Sequence, residues 1–370
     1  MPPGTAKRIL IVDDSAVMRS LLRAVLASEP AVEVSGSAGN GESALRLVEE
    51  LRPDLVLLDV EMPVMDGLAT LRRLRGRGHT MPVIMCSSLT QSGARVTIEA
   101  LACGASDYVA KPSGQTGPAE ATRVLARELL PKIAALTATE PGAISRSSQG
   151  PLVSDSGPTR NASVPATPSV LVVGVSTGGP AALDLLLPAL PASFPLPVLI
   201  VQHMPELFTR LLAERLALRC PLPVREASNG DVIAPGCVAI ARGNWHLEVQ
   251  NRPGRPPVLR LTQGPPENHC RPAVDVLFRT AAAHYGSGVL GVVLTGMGSD
   301  GLEGCRLIRA RGGTVVVQDQ ATSTIWGMPG AVARAGLARR ILPVQEIASE
   351  LIRLTGGTTI ARSEIRQVVA

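Results

Sequence analysis

Aromatic residues make up only 2% of the 370-residue chain, and lysine is scarcer: Lys7, Lys111 and Lys132 are the only three, so arginine is the ordinary cation. No recognition-helix pattern, zinc-finger spacing or basic run interleaved with aromatics is present, so nucleic acid is not an expected partner. The six cysteines (Cys86, Cys103, Cys220, Cys237, Cys270, Cys305) include no Cys-x-x-Cys pair, and an extracellular chain of this size usually shows a disulfide pattern. No apolar run approaches the ~20 residues of a membrane span, and the first apolar stretch is too short for a secretory leader. The expectation is a cytoplasmic protein with no membrane insertion.

A hydrophobic fraction of 45% and a charged fraction of 18% are those of globular protein. At roughly 150 residues per domain the length allows two domains. Charge divides unevenly between them: residues 1–169 hold 14 Arg and 3 Lys against 17 acids, whereas residues 170–370 hold 19 Arg against 14 acids. The excess fits either a solvated surface or an acidic macromolecular partner.

From Arg8 to about Leu136, the short runs RILIV, VEVSG, DLVLL, PVIMC and DYVA alternate with amphipathic segments. This spacing predicts an α/β fold, a doubly wound (βα)5 domain over residues 6–136. Residues 137–167, rich in Ser, Thr, Pro and Gly, read as a flexible linker. Asn161 opens a glycosylation-type triplet, which in a cytoplasmic chain is chance. Order resumes with SVLVVGVSTGGP, PVLIVQH and GVLGVVLTG, which predict a second α/β parallel-sheet domain over 168–357, followed by a tail at 358–370. The segments CVAIA, HLEVQ and VLRLT, punctuated by Gly, Pro and Asn, read as an antiparallel hairpin insertion.

Ligands of open parallel sheets sit at the carboxyl ends of strands. In the first domain those positions hold Asp13 and Asp14, Asp59, Ser87 and Lys111. Three carboxylates at one sheet edge repel unless a hard cation lies among them, and oxygen ligands favour Mg²⁺. A carboxylate beside that ion, Asp59, can attack a phosphoryl donor while Lys111 and a hydroxyl hold the remaining charge. The strings VDDS, LDVEMPVMDG, CSS and AKP closely resemble the receiver domain of two-component response regulators. That resemblance implies phosphorylation at Asp59, Mg²⁺ ligation by Asp14 and Asp59 with Asp13 assisting, phosphate sensing by Ser87 and Lys111, and a switch aromatic at Tyr108.

In the second domain GVSTGG fits G-x-S-x-G, in which Gly174 and Gly178 permit a sharp turn that presents Ser176 at a helix N-terminus. A Gly-rich turn of this kind serves equally as a phosphate cradle or as packing. An exposed serine needs a base, for which His203 in VQHMP is the candidate, and a group to orient it, for which Asp300 in TGMGSDG is the candidate. The order Ser, His, Asp is not that of α/β-hydrolases. It resembles, together with GVSTGGP, QHMP and LTGMGSDG, the catalytic domain of the CheB family, the chemotaxis protein-glutamate methylesterases, whose members join it to a receiver through a linker.

The resemblance implies a phosphorylation-activated esterase with Ser176 as nucleophile, His203 as general base and then acid, and Asp300 as orienter. Met297 would lend its backbone N–H to an oxyanion hole. Thr177 either donates to the cleft or caps the next helix. It further implies methyl-accepting chemoreceptors as substrate, a histidine kinase of the CheA type as phosphodonor, possession of glutamine deamidase chemistry, and no cofactor for the esterase. His269 and Cys270 form no four-ligand zinc set, and read as structural or as a wall of the site. His79, His246 and His284 read as surface or cap residues, and Met62 and Met65 as loop packing. Two other classes compete: a binding module with an inactive hydrolase domain, and a dinucleotide-binding domain, for which a full G-x-G-x-x-G is missing.

Overall fold

The computed structural model describes residues 6–88, 90–112, 117–138 and 167–356. The expected tail and nearly all of the expected linker, Asn161 included, lie outside the described residues.

The first half contains β1 (Lys7–Val12), α1 (Ala16–Ala27), β2 (Val32–Ala38), α2 (Gly41–Leu51), β3 (Leu55–Asp59), α3 (Gly67–Gly76), β4 (Val83–Ser87), α4 (Gln91–Ala102), β5 (Asp107–Ala110) and α5 (Pro118–Thr137). Every strand pairing is parallel, in the order β2-β1-β3-β4-β5. β3 and β4 are buried along their whole length, which is why they read as continuous apolar runs and not as alternating ones. Helices begin where side chains can take up free N–H groups: Ser15, Asn40, Asp66 and Thr90 each accept one at an N-cap.

The second half opens with β6 (Val170–Val175), α6 (Gly179–Leu186), β7 (Val198–Gln202), α7 (Glu206–Ala217), β8 (Val224–Glu226), β9 (Val238–Ile240), β10 (His246–Arg252) and β11 (Arg255–Thr262). It continues through α8 (Val274–Tyr285), β12 (Val289–Val293), α9 (Leu302–Ala310), β13 (Thr314–Gln318), α10 (Met328–Arg334), β14 (Arg340–Leu342) and α11 (Val344–Leu354). Seven strands form a parallel sheet in the order β14-β13-β12-β6-β7-β9-β8.

The hairpin expectation needs one correction. HLEVQ and VLRLT do form an antiparallel pair, β10 with β11, but CVAIA holds β9, which pairs in parallel with β7 and β8 inside the main sheet. Its three residues are all buried, so no alternation was available to separate an insertion strand from a sheet strand.

The halves pack against each other. α4 lies against α6 and α7, and one apolar cluster runs from Leu101 and Tyr108 into Leu183, Phe208 and Leu211. The Tyr108 ring stacks on Phe208 with centroids 4.5 Å apart, and Arg95 pairs with Glu214 at 3.4 Å. No helix of the described residues is long and apolar enough to cross a membrane.

Candidate active site

The acidic pocket forms at the carboxyl edge of the first sheet. Asp13 and Asp59 are buried, Asp14 is exposed, and ligand oxygens of the three lie within 4.8 Å of one another. Lys111 Nζ sits 2.9 Å from Asp13 Oδ2 and 2.7 Å from Asp59 Oδ2. Burial pushes the Asp59 carboxyl up to about 6, against the pull of Lys111 and with help from Asp13. One ammonium among three carboxylates leaves a net negative, oxygen-only pocket, which fits a hard divalent cation such as Mg²⁺. Ser87 is buried one residue beyond Cys86, the partner of Asp59 in β4, and its Oγ accepts a 2.7 Å bond from Thr97. Tyr108 stands apart from this edge, in the contact between the halves.

The second constellation assembles at the ends of three adjacent strands, β12, β6 and β7. Ser176 follows β6, where its N–H donates to Thr295 O at 3.0 Å, and its carbonyl accepts from Gly179 N at 2.8 Å and Gln202 Nε2 at 2.9 Å. The turn then passes through Gly178 at φ 78°, where a Cβ would stand 2.2 Å from Thr324 Oγ1, so both conformation and space demand glycine. His203 follows β7, with its N–H on Val175 O at 3.2 Å. Asp300, buried beyond β12, receives His203 Nε2 on Oδ2 at 2.8 Å.

Four donors fix that carboxylate. Besides His203, Val274 N reaches Oδ2 at 2.7 Å, and Asp275 N and Asn268 Nδ2 reach Oδ1 at 3.0 and 2.9 Å. Burial opposes the charge on Asp300, but the His203 bond and the backbone donors outweigh it and hold its carboxyl below the usual range. Asp275, which shares Asn268 through a 2.9 Å bond, is instead pushed up to about 6 by burial and by the neighbouring Asp300 charge. Burial also disfavours imidazolium at His203, yet the bonds to Asp300 and Cys270 prevail and raise it to about 9.

Ser176, Thr177, His203, Cys270, Asn268 and Met297 line one cavity of about 390 Å³. Among the described residues no hydrogen bond joins Ser176 Oγ to His203; the Nδ1 of His203 faces Cys270 Sγ at 3.6 Å. Met297 is 38% exposed at the rim, and among the described residues its N–H has no acceptor. Thr177 lines the cleft and does not cap the next helix. Its hydroxyl crosses to the first half and donates to Asp107 Oδ2 at 2.6 Å, while α6 has no side-chain cap.

The model for the CheB methylesterase family matches residues 171–351, and that for the response regulator receiver domain matches residues 9–121. A protein-glutamate methylesterase/protein-glutamine glutaminase of Nocardioides sp. is 50% identical over 351 residues, covering 94% of each chain. The chain belongs to the CheB methylesterase family. A second relative of the same printed description, from Trichodesmium erythraeum, is 48% identical over 94% of this chain and 99% of its own. The crystal structure of the Thermotoga maritima CheB methylesterase catalytic domain, 41% identical, aligns with a TM-score of 0.50 over 51% of this chain and all of that domain.

Sequence reasoning about this CheB-family chain missed Asn268, Asp275 and the contact of Cys270 with His203. The dense polar string ENHCRPAVD just ahead of α8 was the available signal. Nor did sequence reasoning single out Asp107 and Lys132 of the receiver half, which with Tyr108 line the same cavity as Ser176 and His203.

Proposed function

We propose that this protein is a cytoplasmic, phosphorylation-controlled esterase that hydrolyses glutamate methyl esters on chemoreceptors and deamidates specific glutamines there. Ser176, His203 and Asp300 would carry the chemistry in a catalytic domain spanning 168–357. The observation that carries the reading is the 2.8 Å Asp300–His203 pair facing a cavity shared with Ser176. Asp300 takes the Nε2–H, so Nδ1 is left as the base.

Nδ1 removes the Ser176 proton as Oγ attacks the γ-carbonyl, and the Met297 N–H meets the developing oxyanion. Imidazolium then returns the proton to the departing methoxide, giving methanol, or to the departing amide nitrogen in the glutamine case, giving ammonia. Water, deprotonated again at Nδ1, cleaves the acyl-enzyme and restores Ser176. The first step needs Ser176 Oγ to turn toward Nδ1, where Cys270 Sγ now lies. That 3.6 Å contact favours one second reading, with the Cys270 thiol as nucleophile.

A base held at about 9 is mostly protonated at neutral pH. kcat/KM of the unphosphorylated protein is therefore expected to climb with pH up to about 9, as read from a methanol-release profile. Stability has the opposite sign. Because the folded value lies above the ordinary 6.5, the His203 contribution is fully present below 6.5 and is lost as pH rises through about 9. A profile flat between those limits would contradict this state of His203.

For control, Asp13, Asp14 and Asp59 would hold Mg²⁺, which when bound neutralises incoming phosphoryl oxygens. Asp59 would accept the phosphoryl group from a histidine kinase of the CheA type, with Lys111 and Ser87 reading the added charge. In the unphosphorylated state Asp107 ties the receiver half down as a cover, since its Oδ2 takes the Thr177 hydroxyl of the other half at 2.6 Å, while Lys132 of its own half holds Oδ1 at 3.1 Å. Phosphorylation would release that cover. Asp59→Asn is expected to keep basal methanol release from methylated receptor membranes and to lose its response to a phosphodonor; a retained response would move the phosphosite elsewhere. Asp107→Ala removes a charge-assisted bond of about 1.5–3 kcal/mol, so basal release should rise about 10- to 150-fold. Unchanged basal release would show that the contact does not hold the cover closed.

A further inference from the structure

Cys270 Sγ and His203 Nδ1 face each other at 3.6 Å across the edge of the cavity, and Asp300 stands behind the ring on Nε2. With Zn–S near 2.3 Å and Zn–N near 2.0–2.1 Å, tetrahedral geometry sets the two ligand atoms about 3.5 Å apart. The pair therefore already has the bite of a tetrahedral ion. A carboxylate on the far nitrogen of a ligating histidine fixes the tautomer and raises the basicity of the ligand, and Asp300 is placed to do so. Ligand atoms of His203, Cys270 and Asp300 all lie within 4.8 Å of one another. Both cavity-facing groups border open space: Cys270 and His203 also line an adjoining cleft of about 670 Å³, which leaves room for water at the remaining positions.

We propose that Cys270 and His203 form a binding site for a thiophilic divalent cation, Zn²⁺ in the first instance, and that its capture switches the esterase off. That the ion inhibits rests on the esterase reading; that it binds does not. The Cys270 thiol loses its proton to solvent on ligation, as does His203 where it is imidazolium, and the Nδ1 lone pair that would take the Ser176 proton is spent on the metal. Softness separates this site from the receiver pocket. Thiolate and imidazole select Zn²⁺ and Cd²⁺, whereas the three carboxylates at Asp13, Asp14 and Asp59 suit Mg²⁺.

The test is a titration of the full-length protein with Cd²⁺, followed by the near-ultraviolet thiolate-to-cadmium absorption, with Zn²⁺ as competitor. Wild type and Cys103→Ser should develop the band; Cys270→Ser should lose it and weaken Zn²⁺ binding at least about 10-fold. Zn²⁺ should also shield Cys270 of the wild type from iodoacetamide, mapped by peptide mass, which needs no variant. Methanol release by wild type should fall as the site fills, and its half-inhibition should rise at least about 10-fold in Cys270→Ser. No band in wild type, a band that survives in Cys270→Ser, or alkylation of Cys270 unaffected by Zn²⁺ would overturn the site. Absence of methanol release from metal-free wild type would strike the esterase reading instead, and leave the titration to decide the metal.

Discussion

Asp300→Asn is expected to lower kcat for methanol release about 10⁴-fold, the scale seen when a catalytic histidine is left in the wrong tautomer. Asp300 accepts four bonds, two on each oxygen, from His203, Val274, Asp275 and Asn268. An amide offers one accepting oxygen, and its NH₂ must confront two of those donors whichever way it is turned. If the NH₂ faces Nε2, the ring proton moves to Nδ1 and the base is lost. If it faces the other pair, Asp275 N and Asn268 lose their acceptor, at about 1–3 kcal/mol for each buried group left unpaired. Steady-state kinetics beside thermal melting separates the two outcomes. A fall of less than about tenfold would mean that Asp300 does not set the state of His203.

Ser176→Ala should remove methanol release by about 10⁴-fold or more, because the nucleophile and its base act as a unit. The fold should not suffer. The turn is held by backbone bonds from Ser176 N to Thr295 and from Gly179 and Gln202 to its carbonyl, none of which uses the hydroxyl. Retained binding of methylated receptor membranes, measured by cosedimentation, with methanol release abolished is the expected pair of results. Release that survives the substitution would shift the nucleophile to Cys270.

Both predictions use residues that could be picked out of the chain unaided, and the reason is topological. In parallel sheets the chemistry lies where apolar runs end, so VVGVS, LIVQH and the turn after GVLGVVL point to Ser176, His203 and the region of Asp300 once the runs are taken as strands. The acidic pocket was legible in the same way at Asp13, Asp14 and Asp59. What escaped was lateral. β9 could not be told from a hairpin strand, because a three-residue buried segment carries no period. β13 and β14 were not foreseen either, although TVVVQ supplies an apolar run for the first. The partner of the Thr177 hydroxyl, Asp107, lies seventy residues away, a choice that depends on how two domains dock and leaves no mark in local pattern. The Nδ1 contact of His203 with Cys270 escaped for the same reason: which way an imidazole faces is settled by its neighbours in space.

The central claim is that Ser176 takes the acyl group although no hydrogen bond yet joins it to His203. Rapid acid quench of the protein turning over a methylated receptor peptide, followed by proteolysis and mass mapping, tests it most directly. The account predicts the glutamyl fragment of the peptide esterified to Ser176 at short times and gone at completion. An adduct on Cys270, or ester cleavage with no acylated serine at any time, would contradict it.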